Sequence, residues 1–70
     1  MLTDHEIEQC EETLEKTYSE KFPSFDLVTA SYVESQNGFL VVGCNIDVIA
    51  SEMFGEPVLN TKTLNFVEIE

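Results

Sequence analysis

The sequence predicts an α+β fold: one long N-terminal amphipathic helix packed on a small three-stranded, largely antiparallel sheet. Three observations predict it. Apolar residues recur at helical spacing through the first twenty positions, two β-rich runs flank an Asn-Gly pair, and a third alternating run closes the chain. The stretch from Asp47 to Phe54, between strands 2 and 3, reads either as a short helix or as a loop. Residues 1–70 are expected to form a single small acidic domain, because seventy residues supply only one modest core.

The helix has clear start and stop signals. Thr3 and Glu6 have the spacing of a capping box, and Leu2 and Ile7 bracket it as a hydrophobic staple. Ile7, Cys10, Leu14 and Tyr18 share one face. Asp4 and Glu6 favour the first turn. Phe22-Pro23 ends the helix, since the residue before proline is pushed out of the α region.

Asn37-Gly38 predicts a hairpin with a two-residue type I′ turn. That turn would set Gln36 opposite Phe39, Val33 opposite Val42 and Leu27 opposite Val48. Strand alternation then defines two faces. Leu27, Val33, Leu40, Val42, Cys44, Ile46 and Val48 form one, the expected seat of the helix. Val28, Ala30, Tyr32, Phe39 and Val41 form the other, with Tyr32 covering Gly43. The second face is too apolar to stand bare. Either the Asp47–Phe54 segment covers it with Ile49, Met53 and Phe54, or a second chain docks there. Val28, Tyr32, Phe39 and Val41 are therefore candidate interface residues of a homodimer. Between Asp47 and Gly55, a capped short helix would end on a glycine with Pro57 just beyond. In the last run, Leu64 and Phe66 point inward and the alternation breaks near Val67.

Charge is the unusual feature. Fourteen acids face three lysines and no arginine, a net charge of −11. That sign excludes direct nucleic-acid binding and disfavours anionic membrane surfaces. Basic proteins and cations are the matching partners. Two cysteines are too few for a disulfide scaffold, and no apolar run reaches a membrane span. A cytoplasmic, reducing location without a signal peptide is expected, with Cys10 and Cys44 as buried thiols that both point inward.

"EIEQCEETLE", residues 6 to 15, concentrates five glutamates. On a helical projection Asp4, Glu8, Glu11, Glu12 and Glu15 crowd an arc of roughly 100° beside the apolar stripe. Like-charge neighbours at i,i+3 and i,i+4 cost on the order of 1–2 kcal/mol together, offset in part by Glu12 and Lys16. A flank built only for solubility would mix signs. These acids are candidate partner-binding residues, repeating every 4–6 Å along the axis, about the few-ångström scale of phosphates on nucleic acid. Charge reversal along this flank is expected to leave the fold intact or slightly more stable.

No enzyme is expected. Paired carboxylates need burial and separated pKa values for acid–base work, and an exposed helix offers neither. His5, the single histidine, sits on the outer side of the helix with no nucleophile beside it. Two cysteines and a remote histidine do not make a zinc site, and calcium-loop spacing is absent, so neither metal nor cofactor is expected. In size and charge alone the chain resembles the small acidic proteins that phages and mobile elements direct at basic host proteins. The leading expectation is a non-enzymatic acidic protein that inhibits or sequesters a basic, nucleic-acid-binding host protein through a carboxylate ridge, as a DNA mimic. The alternative is a small structural or accessory subunit that homo-oligomerises through the apolar far face of its sheet.

Overall fold

The structure, a computed structural model, describes residues 2–69. Its elements run α1 (Asp4–Lys21), β1 (Leu27–Val33), a 3-10 turn (Glu34–Gln36), β2 (Gly38–Ile46), α2 (Val48–Phe54) and β3 (Leu59–Glu68). The sheet is antiparallel in the order β1-β2-β3, and α1 packs on one of its faces.

The start of α1 follows its local chemistry. The Thr3 hydroxyl accepts from the Glu6 amide at 3.2 Å, and the Glu6 carboxylate accepts from the Thr3 amide at 3.1 Å. The helix ends at Lys21, and Phe22 leaves the α region at φ −123°, ψ 72°, as the following proline requires. Asp47 caps α2 by accepting from the Ala50 amide at 3.0 Å, and Gly55 closes it with φ 71°. The short helix is therefore formed.

The hairpin turn differs from expectation. Its loop is the Glu34–Gln36 turn followed by Asn37 in the left-handed region at φ 49°. Asn37 is held there by the end of the third strand: its carbonyl accepts from the Ile69 amide at 2.9 Å, and its side chain donates to the Ile69 carbonyl at 3.1 Å. Gly38 serves the strand instead of the turn. A Cβ there would stand 2.6 Å from both the Phe66 ring and the Val67 carbonyl.

Leu27 consequently pairs with Cys44, not Val48. That shift of four residues (48 − 44) is even, so the side chains within the paired strands keep their expected faces, whereas Val48, expected on the face of Leu27 and Leu40, lies beyond β2 as the first residue of α2. The helix, however, sits on the opposite face from the one expected. Val28, Ala30 and Val41 form the buried core beneath Leu14 and Tyr18, and Phe39 is only 3% exposed. Ala30 is buried beneath the helix, and Phe25 lies over Gly43, the position expected for Tyr32. Tyr32 instead packs against Phe39, its direct partner, with ring centroids 5.3 Å apart. Val28, Phe39 and Val41 are thus interior residues, with Tyr32 half-buried beside them, and do not form an oligomer surface.

In β3 the break in alternation falls earlier than Val67. Val41 pairs with Asn65 and Val42 with Thr63, leaving Leu64 as the bulged residue. Leu64 joins the core beneath the helix, while Phe66 pairs with Leu40 on the open face and covers Gly38.

Two predictions follow the glycine contacts and the cap. Gly43→Ala drives a Cβ to 2.7 Å from the Phe25 ring; it should destabilise by about 1–3 kcal/mol in chemical denaturation, and Phe25→Leu should restore part of the loss. The hydrogen bonds from Thr3, backbone first and hydroxyl second, hold the Glu6 carboxyl below its ordinary value of 4.5. A carboxyl lowered in the folded state stabilises above its unfolded value and stops doing so as pH falls through the folded one. The melting temperature of Glu6→Ala should therefore fall below the parent's at neutral pH and meet it in acid.

Candidate functional site

β1 is an edge strand, and alternate backbone N–H groups on an edge face outward without a ladder partner. Two glutamates of α1 take this role. The Ala30 amide donates to Glu15 Oε2 at 3.0 Å, and the Tyr32 amide donates to Glu11 Oε2 at 3.0 Å. The four-residue spacing of Glu11 and Glu15 on the helix matches the two-residue spacing of Ala30 and Tyr32 on the strand, since each spans about 6 Å. Both glutamates are half-buried. The helix is also tied to the opposite edge, where Asn65 Nδ2 donates to the Tyr18 hydroxyl at 2.8 Å.

This divides the expected acidic flank. Glu11 and Glu15 are internal ligands of the sheet edge, so charge reversal at these two is no longer expected to spare the fold. Asp4, Glu8 and Glu12 remain exposed. They follow one another at intervals of four residues, a single row with about 6 Å between successive carboxylates along the axis. His5 lies on the surface with its Nε2 3.1 Å from Gln9 Nε2.

Two further features surround the helix. Because α1 lies chiefly over β1, a groove of about 510 Å³ opens on its other side. Leu2, Cys10 and Leu14 line one wall and Phe39, Val67 and Ile69 the other, with Glu6, Gln9 and Thr13 as the polar groups. Cys10 belongs to this groove, whereas Cys44 is buried from the opposite face of the sheet. The two thiols, both free, do not point into a common interior as the sequence implied. The groove itself was not foreseen, because it depends on where the helix settles across the sheet.

Among the described residues no group of three or more His, Cys, Asp or Glu is placed to hold a metal ion. No helix among them is long and apolar enough to cross a membrane. No family model, curated protein or solved structure matches the chain.

The split flank predicts opposite responses from neighbouring acids. Glu15→Ala and Glu11→Ala each strip a charged acceptor from a strand amide, and each should cost roughly 1–2 kcal/mol of unfolding free energy. Glu8→Gln and Glu12→Gln relieve like-charge contacts and should leave stability unchanged or raise it by a few tenths of a kcal/mol. Urea titrations of the four variants check both signs.

Proposed function

We propose that this chain is a non-enzymatic acidic binding protein that occupies the phosphate-binding surface of a basic, nucleic-acid-binding protein in the cytoplasm. The exposed row Asp4, Glu8 and Glu12 carries this reading. Among the described residues its carboxylates have no hydrogen-bonding partner, unlike those of Glu11 and Glu15. They stand at a regular spacing along a rigid helix, which a groove lined with lysine or arginine can match more readily than a flexible acidic tail. A net charge of −11 would speed encounter with such a surface and make the complex strongly salt-dependent. Inhibition would follow from occupancy, since nucleic acid and the acidic row would compete for the same cationic side chains. The use of such a protein by a phage or mobile element against its host belongs to the same proposal.

The test is an immobilised-protein capture from a bacterial lysate at low salt, run beside the variant Asp4→Asn, Glu8→Lys, Glu12→Lys. The parent should retain a basic protein that is released by salt and by excess duplex DNA. The variant, folded by circular dichroism, should lose it. If the variant keeps the same partner with the same salt profile, or if DNA does not compete, the proposal fails.

A further inference from the structure

Among the described residues the exposed large apolar side chains are not scattered. Leu27, Ile46, Val48, Ile49, Met53, Phe54 and Leu59 are 51–77% exposed, and all lie at one end of the molecule. Leu27 begins β1, Ile46 ends β2 and pairs with Leu59 at the start of β3, and α2 links those last two strands. On α2, Ile49, Met53 and Phe54 fall within an arc of roughly 140°, away from Ser51.

This end is built to stay presented. Asp47 caps α2 and also accepts from Asn60 Nδ2 at 3.2 Å. The Val58 amide donates to Ser51 Oγ at 2.9 Å, and the Asp47 amide donates to the Val58 carbonyl at 2.9 Å. These bonds fix α2 as an outward projection and do not fold it over the sheet. The radius of gyration, 14.0 Å, exceeds the value of about 11 Å for a compact chain of this length. The longest dimension is 44 Å against 23 and 18 Å for the others.

We infer that this apolar end is the interface of a two-fold homodimer. Two arguments select a second copy. Seven half-to-three-quarters exposed side chains present an area on the order of the ~800 Å² that each partner buries in a stable complex, well above the patch of a typical monomer. Charge also favours self-association at this end over any other. Glu11 bonds to Tyr32 near the far end of β1, so the acidic first half of α1 lies away from α2. An end-to-end dimer keeps the two acidic rows at its extremities, whereas side-by-side packing would bring them together. Glu52 and Glu56 near the contact oppose the pairing at low salt, so salt should strengthen the dimer. The acidic row of the proposed function lies outside this interface, so the two readings stand or fall separately.

Sedimentation equilibrium of the full chain at low and high salt tests the inference. The parent should sediment as a dimer, more tightly at high salt, with a melting temperature that rises with protein concentration. Met53→Glu with Phe54→Glu should sediment as a monomer with unchanged circular dichroism. Ile49→Gln, a milder change, should weaken association at least tenfold. A parent that stays monomeric at high concentration and high salt overturns the inference, as does an undiminished dimer in both variants. A parent that instead binds phosphatidylcholine vesicles through this end without self-associating also overturns it.

Discussion

The contact on which the rest depends is the pair of hydrogen bonds from the Ala30 and Tyr32 amides to Glu15 and Glu11. An edge strand must dispose of its outward N–H groups, and an apolar helix stripe must find a sheet. Here one helix does both. Its carboxylates reach the edge while Leu14 and Tyr18, beside them, cover Val28, Ala30 and Val41. The bonds therefore fix the rotation of α1 and its offset toward β1. The groove over Phe39 and Val67 is the space that offset leaves.

The same contact changes the energetic meaning of the acidic flank. Crowding five acids costs on the order of 1–2 kcal/mol. Two hydrogen bonds to charged acceptors return an amount of similar size, even when half-buried. Repulsion on the helix is thus no longer by itself a sign of an external partner. Among the described residues the outer row, Asp4, Glu8 and Glu12, accepts no such hydrogen bond. At the other end of the molecule the unaccounted feature is apolar. A fold of this size rarely exposes Ile49, Met53 and Phe54 together on a helix pinned in place by its caps and loop bonds. The acidic row and the exposed apolar cluster thus lie at opposite ends of the molecule.

Local chemistry was legible wherever a few consecutive residues decide the outcome. The capping box of Thr3 and Glu6 and the stop at Phe22-Pro23 appear as their residues dictate, and the stretch from Asp47 to Phe54, open between helix and loop in the sequence, forms the short helix that Asp47 and Gly55 cap. Asn37-Gly38 was misleading for a physical reason. Glycine is useful both for positive φ and for admitting a neighbour, and here Phe66 claims Gly38 for the second use. Asn37 takes the left-handed conformation alone, held by Ile69 from the far end of the chain. The bulge at Leu64 was misplaced because alternation near a break cannot tell which residue is the extra one until the partner strand is known.

The sequence by itself determined the long helix, the three strands, their order, and which residues of the paired hairpin strands share a face, because these follow from short-range periodicity. An even slip in register preserved the faces although the pairing moved. Only the tertiary structure decided which face the helix covers. Both faces are apolar enough, so the choice falls to contacts between distant residues: the small Ala30 under the helix, Phe25 over Gly43, and the reach of Glu11 and Glu15 to a strand more than a dozen positions away. It also decided which of the crowded acids are internal ligands. Spacing along a helix says which carboxylates are neighbours, but not which of them have a strand amide within 3.0 Å.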